Sequence, residues 1–359
     1  MSISTLEGLR VLDLTRLFPG PVATWHLASM GASVIKVEDT GAGDYAKEFF
    51  KTPEETKAGL DSSFYRAINN NKEVIYLDLK NPDDQTRFLE LVKQADLLIE
   101  SFRPGVMNKL GFSYDSLKQI KPSLVYCSIT GFGATGAWKH KAAHDLNSIA
   151  MTGVLHQLAD ANNKPIMPNL QIADLLGGAA SAAMGCLAAL WRAQRTGEGS
   201  FVDISMTDGT LAHNLTAQVG YHARGDAPLA NEDLLNGGVP CYNVYETKDG
   251  RWLAVGALEL KFWETFCETV GHPEWKKSHW ALGQAVGSPA ALGLIQDVGQ
   301  VVRQKTLAQW TDIFATVDCC VTPVLTLAEA MAHPLFTERG VVKDDANQVR
   351  WLQSPVRFS

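Results

Sequence analysis

The sequence predicts an α/β fold, with a parallel sheet covered by helices on both faces and a smaller α+β unit after it. Three observations carry this reading. Short apolar runs of strand length alternate with helical stretches through the first half of the chain. After Asp203 the texture changes to a hairpin followed by amphipathic helices. The length, 359 residues, suffices for two domains and a sizeable core.

The first elements form a β-α-β unit. Arg10-Val11-Leu12-Asp13-Leu14 reads as a strand, 21–30 as a helix, and 33–38 as a second strand after a stop at Gly31. Pro21 suits the first helical turn, where its missing N–H costs nothing. Residues 40–71 form a polar, Gly-containing stretch. A strand is expected over 74–79, a helix over 83–94, and strands over 97–99 and 124–129. A long helix is expected over 174–194 and another over 203–221; 223–238 reads as loop, with Gly225, Pro228, Gly237 and Gly238. Strands over 242–246 and 252–255 flank Lys248-Asp249-Gly250-Arg251, a hairpin turn. Helices are expected next over 261–270, 288–304 and 306–315. The expected domains are 1–222, with 323–359 returning to it, and a small α+β domain over 225–322. In this division 326–332 goes with the large domain.

Composition narrows the function classes. A formal charge of −7 argues against a nucleic-acid partner, which needs a basic face. Cys127, Cys186, Cys241, Cys267, Cys319 and Cys320 show no CxxC pair, and are read as reduced thiols of a cytoplasmic protein. The start already alternates as a strand does, so no signal peptide is expected. Residues 172–191 have the length of a bilayer span but contain Asp174 and are rich in Ala and Gly; a buried core helix is expected and no membrane partner. The nine His are scattered without ligand spacing, so no metal is expected.

Five places could carry chemistry. Gly131-Phe132-Gly133-Ala134-Thr135-Gly136 spells GxGxxG after a strand, but neither the required helix nor a following acidic strand end is there. The glycines are read instead as shaping a loop at the ligand end of the sheet. His144, just beyond it, is the side chain best matched to proton transfer near neutral pH. Asp174 stands where the long helix starts, as an N-cap or as an oriented carboxylate held ionised by the helix dipole. The small residues 177–180 behind it leave room for another backbone or a ligand. Glu259 lies between a strand end and a helix, a place for capping. Arg103, in a loop after an apolar strand, has the planar donors that suit a phosphate.

Taken together, VLDLTRLFPGP…LASMGASVIKVE, LLIESFRPGVMNKLGFSYDSLKQIKPSLVYCSITGFGATG, NLQIADLLGGAASAAMGCLAALWRAQRTGEGSFVDISMTDG and CVTPVLTLAEAMAHP resemble the family III CoA-transferase and α-methylacyl-CoA racemase superfamily, in order over nearly the whole chain. The resemblance implies a large Rossmann-like domain, a small domain and an interlocked homodimer. It implies an acyl-CoA substrate, coenzyme A being part of that substrate rather than a permanent cofactor.

Two chemistries divide the superfamily. In the transferases an Asp matching Asp174 attacks the acyl-CoA and forms a mixed anhydride. In the racemases that Asp pairs with the His of an HDxN motif, which His144-Asp145-Leu146-Asn147 fits. Transferases of the formyl-CoA type have four glycines where this chain reads Ala257-Leu258-Glu259-Leu260; Glu259 matches a racemase glutamate that supports the His, and Tyr242 a racemase active-site tyrosine. Arg103 and Asp145 fall at positions that contact the CoA nucleotide in racemases. One departure is Leu170, where racemases usually have Asn; Asn169 stands one residue earlier. The expected activity is racemisation at the α-carbon of a 2-methyl-branched acyl-CoA, with CoA transfer between carboxylic acids as the alternative and a CoA-binding protein without turnover as a third reading. Backbone N–H groups at the start of the Asp174 helix are expected to serve the enolate oxygen.

Overall fold

A computed structural model describes residues 4–160, 162–226, 229, 231–345 and 349–358. Residues 1–3 of the expected alternating start, and Pro228, lie outside them. Contacts divide the chain into two units, one of residues 1–155, 167–215 and 334–359, the other of 156–166 and 216–333.

In chain order the first unit contains β1 (Arg10–Leu14), α1 (Pro19–Ser29), β2 (Ser33–Glu38), α2 (Pro53–Lys57), α3 (Ser63–Asn69), β3 (Glu73–Tyr76), α4 (Pro82–Gln94), β4 (Leu97–Glu100), α5 (Val106–Lys109), α6 (Tyr114–Ile120), β5 (Val125–Thr130) and α7 (Asp145–Met151). A four-residue turn, α8 (Val154–Gln157), comes next. A π-helical segment (Ala173–Ala180) then runs directly into α9 (Ser181–Thr196), before β6 (Phe201–Ser205) and α10 (Met206–Ala212). Six parallel strands lie in the order β3-β2-β1-β4-β5-β6, so the strand order reverses between β1 and β4. The apolar residues of β1, β4 and β5 are buried on both faces, as a sheet sandwiched between helices requires. On one face Val11, Leu97 and Val125 meet α1 and the stripe Ala179, Ala182, Cys186, Ala189 and Ala193. On the other, Leu12, Leu98 and Tyr126 meet Phe88 and Val92 of α4 and Leu117 of α6. Ala173–Thr196 is apolar and long enough to cross a membrane; one stripe of it at helical spacing packs on the sheet, while Met184 and Trp191 on it are exposed.

Three expectations are corrected. The stretch 203–221 is not one helix: Phe201–Ser205 is a sixth strand, paired in parallel with β5. Asp203 was read as a helix start, but the cap is Ser205, whose Oγ accepts from the Asp208 N–H at 3.1 Å. The polar stretch 40–71, to which the sequence assigns no element, contains helices. It holds α2, opened by a Thr52–Glu55 capping box, and α3, capped by Ser62.

The third correction concerns 326–332. The second unit contains α11 (Leu215–Arg224, with all but its first residue), β7 (Tyr242–Glu246), β8 (Trp252–Gly256), α12 (Leu260–Thr269), α13 (Pro289–Val302), α14 (Leu307–Phe314), β9 (Val321–Pro323) and α15 (Leu327–Ala332). Both carboxylate oxygens of Glu329 on α15 accept from Arg251 at 3.0 and 2.8 Å, and Val324 N–H donates to Trp252 O at 2.9 Å. That segment is therefore fastened to the β7–β8 hairpin, in the second unit. The antiparallel sheet β7-β8-β9 packs on Trp263, Phe266, Trp310 and Phe314. The chain then returns to the first unit with α16 (Pro334–Glu338), β10 (Val342–Asp344) and β11 (Arg350–Leu352), where Arg66 lies over the Trp351 ring at 5.5 Å.

The π-helical segment crosses α10 backbone to backbone. A Cβ on Gly177 would stand 2.2 Å from the Met206 carbonyl oxygen, and one on Gly209 would stand 2.6 Å from the Gly177 carbonyl oxygen. The small residues behind Asp174 are thus spent on a neighbouring backbone. Gly177→Ala should cost about 2–3 kcal/mol in urea unfolding, because the obstructing atom is main chain and cannot swing away. Gly293→Ala, in α13 with nothing within 4 Å of the new methyl, should instead stabilise by about 0.5–1 kcal/mol.

Candidate active site

The strand order reverses between β1 and β4, and the carboxyl ends of the strands at such a reversal are the usual ligand position in open sheets. At the carboxyl end of β1 lies a fully buried ionic network. Asp13 Oδ1 accepts from the Thr15 N–H and hydroxyl at 2.9 and 2.5 Å, and Asp13 Oδ2 accepts from Lys72 Nζ at 3.0 Å. Lys36 Nζ lies 3.0 Å from Asp44 and donates to the Thr15 carbonyl at 2.8 Å. Burial alone would raise the Asp13 carboxyl, but the Lys72 and Lys36 ammoniums and two hydroxyls outweigh it and hold it well below the usual range. Burial pushes Lys72 down to about 8, against the attraction of Asp13.

This network anchors the β1–α1 loop, and the β4 loop is fastened to it. Glu100 is buried, which pushes its carboxyl up to about 7, and it accepts from the Phe102 N–H at 2.6 Å. Ser101 Oγ accepts from the Arg16 N–H at 3.1 Å. The Arg16 guanidinium lies 5.6 Å above the Phe102 ring and pairs with Asp39. Arg103, the expected phosphate residue, is exposed on this loop. Sequence reading missed Arg16; its place just past a strand end was the only local signal.

The GxGxxG loop is held by protein rather than presented to a dinucleotide. Ala134 N–H donates to both oxygens of Asp203, at 2.9 and 3.1 Å, and Thr207 donates to the Gly131 carbonyl. No helix begins until Asp145. His144 immediately precedes that helix; its N–H donates to Asn147 Oδ1 at 3.0 Å and its side chain is exposed.

Asp174 is not the cap of its own helix. The acceptor at that helix start is Asp145: its Oδ1 takes the N–H groups of Ala173 at 2.6 Å and Asp174 at 3.0 Å. Asp145 thereby joins the His144 segment to the Asp174 segment. Two expectations fall with this. Those N–H groups are occupied and do not serve an enolate oxygen; Leu175 N–H also goes to the Gln171 carbonyl. Nor does the dipole keep Asp174 ionised. Burial and the nearby Asp145 charge push its carboxyl up to about 7.

Tyr242 and Glu259 belong to the second unit. Tyr242 opens β7 opposite Gly256, three residues before Glu259, so both lie at one end of the small sheet. Glu259 occupies the cap position of α12 without a side-chain capping bond, and its carboxylate is exposed. Trp280 Nε1 donates to the Leu258 carbonyl at 2.8 Å and steadies this loop. Tyr242 lines a cleft of about 360 Å³ with Asn236, Asn243, Cys320 and Thr322. Among the described residues no three His, Cys, Asp or Glu side chains are grouped to hold a metal.

Comparison with known proteins gives a consistent picture. The model of CoA-transferase family III matches residues 6–359. Human alpha-methylacyl-CoA racemase is 33% identical over 93% of this chain and 81% of its own. Acetyl-CoA:oxalate CoA-transferase of Acetobacter aceti is 32% identical over 98% of this chain and 89% of its own. Among solved structures, a CAIB/BAIF family protein from Brucella suis superposes with a TM-score of 0.83 and 26% identity, covering 100% of this chain and 93% of that one.

The Asp174 environment has a measurable consequence. Its value in the folded protein, about 7, lies above the ordinary 3.8, so the folded protein holds this proton more tightly than the unfolded chain does. The stability this gives is complete at low pH and is lost as pH rises through about 7. Asp174→Asn removes the titration, so its gain over wild type in urea unfolding should be larger at pH 8 than at pH 5, by about 1–3 kcal/mol. An equal difference at both pH values would refute this account.

Proposed function

Because the chain belongs to CoA-transferase family III, we propose that this enzyme racemises the α-carbon of a 2-methyl-branched acyl-CoA, with His144 and Asp174 as the acid–base pair. The supporting observation is the link between them. One carboxylate, Asp145, adjoins His144 in sequence and accepts from the Asp174 N–H, beside a carboxyl that burial keeps protonated to about 7. A carboxylic acid and a neutral imidazole together form a donor and an acceptor matched to proton transfer at neutral pH.

In the proposed step His144 takes the α-proton from one face; the C–H electron pair passes into the enolate, with charge on the thioester oxygen. Asp174 gives its proton to the opposite face. The carbon is inverted, leaving imidazolium and carboxylate, which are the states needed for the reverse direction. Arg103 binds a phosphate of the coenzyme portion. Glu259 and Tyr242 enter the proposal through the resemblance, as the partner of the imidazole and an active-site hydroxyl. An interlocked homodimer is proposed on the same ground; exposed Met184, Trp191 and Leu211 in the first unit favour it.

A second reading rests on the transferase relative, whose identity of 32% is close to the racemase's 33%. Here ionised Asp174 attacks the thioester, expels CoA thiolate and forms an acyl anhydride. The thiolate then attacks the Asp174 carbonyl, releasing the first carboxylate and leaving CoA as a thioester on Asp174, from which a second carboxylate takes it by the same two steps in reverse.

The test is incubation of single enantiomers of a 2-methylacyl-CoA in deuterated water. The expected result is deuterium at the α-carbon and inversion. His144→Ala should slow exchange from at least one enantiomer about 100-fold or more, and Arg103→Ala should raise KM with little change in kcat. No exchange with any branched acyl-CoA, together with a hydroxylamine-trappable adduct on Asp174, would replace the racemase reading with the transferase one.

A further inference from the structure

Asp145 does something that its sequence position does not disclose. A helix start has N–H groups without intrahelical acceptors, and the segment Ala173–Ala180 begins without a cap of its own: Ile172, in the cap position, has helical dihedrals and no capping bond. The acceptor comes from 28 residues upstream, where one Asp145 oxygen takes two of these N–H groups. Asp145 is also the first residue of α7, and the residue before it is His144. A displacement of this carboxylate therefore moves the two candidate acid–base residues relative to one another.

We propose that Asp145 is a positioning residue, whose carboxylate ties the start of the Asp174 helix to the segment carrying His144 so that imidazole and carboxyl keep one relative placement. This rests on the acid–base roles proposed above and gives them a structural basis. It differs from the role the resemblance implies for Asp145, contact with the CoA nucleotide.

The charges around the segment point the same way. The packed elements bring His26 on α1, Asp208 on α10, Asp203 on β6, and Arg192 and Arg195 toward the far end of α9. Among all of these and Asp145 on α7, Asp145 is the charge that acts on Asp174. Its carboxylate both neutralises the positive helix end and opposes ionisation of its neighbour. An Asn in its place can still accept the two N–H bonds but carries no charge; an Ala can do neither.

The experiment uses the full chain and two variants. Asp174 is titrated by carboxyl carbon NMR, its signal assigned by loss in Asp174→Asn, and protection of the Ala173 and Asp174 amides is read by hydrogen exchange. Asp145→Asn is expected to keep amide protection while lowering the Asp174 midpoint by about 1. It should also carry the pH profile of kcat for α-proton exchange to lower pH, with KM changed less than about twofold. Asp145→Ala is expected to speed amide exchange at 173–174 about tenfold or more. Should the Ala variant not fold, Asp145→Asn and Asp145→Ser decide the matter. An unmoved Asp174 midpoint and intact amide protection, with KM raised, would overturn the proposal in favour of a coenzyme contact. A moved midpoint in a protein that exchanges no α-proton would sustain the tie and sink the racemase reading alone.

Discussion

A helix laid by its alanine face on a parallel sheet, and crossed backbone to backbone by a second helix, has its first turn partly buried, with Ala173 fully so. Its leading N–H groups must find a protein acceptor, since an unpaired buried donor costs about 1–3 kcal/mol. The local sequence has none to offer, and the acceptor arrives from the β5 side as Asp145. Much of the site's character stems from this. The helix start is closed to an oxyanion, Asp174 is half-buried beside a like charge, and the histidine segment is tied to the same helix start.

The carboxyl end of β1 is held by the opposite device. There charges are buried in pairs: Asp13 with Lys72, and Lys36 with Asp44. Such pairs rarely add net stability over an apolar core, but removing one partner leaves an uncompensated charge. Their service is to the main chain, because the Thr15 amide and carbonyl both end in this network. The loop above is thereby fixed without using the Arg103 guanidinium, which stays exposed, while Arg16 pairs with Asp39.

The parts of the fold that were legible in the sequence depend on near neighbours. Strands 10–14 and 33–38, the glycine stop between them and the Asp-Gly hairpin are local patterns and appear where their residues predict. The sixth strand was missed within 203–221, where its pairing is with β5 and the Asp203 carboxylate reaches the Ala134 amide across 69 residues. Helix 326–332 was misplaced for a similar reason, since the Arg251–Glu329 pair spans 78 residues. His144, Asp174, Glu259 and Arg103 stood out by their own places in the sequence, Tyr242 and Asp145 only through the resemblance, and Asp145 shows the limit of that route. A family pattern marked the position, while its hydrogen bonds depend on a tertiary approach that no spacing encodes. Arg16 and Glu100 were hidden likewise, being ordinary residues until two loops meet.

The wide-turned stretch Ala173–Ala180 has one more consequence. An α-helix rotates about 100° per residue. The change from the wider winding to α-helical winding at Ser181 therefore sets the angular phase between the residues on its two sides. The alanine stripe from Ala182 onward faces the sheet, while Asp174 occupies an angle that uniform winding would not give it. Inserting a residue between them, or forcing ordinary winding on the same residues, would change the summed rotation and so the angle at which the carboxyl stands to the stripe. The irregular winding thus works as an angular gauge, and insertions or deletions there would alter chemistry before they altered the core.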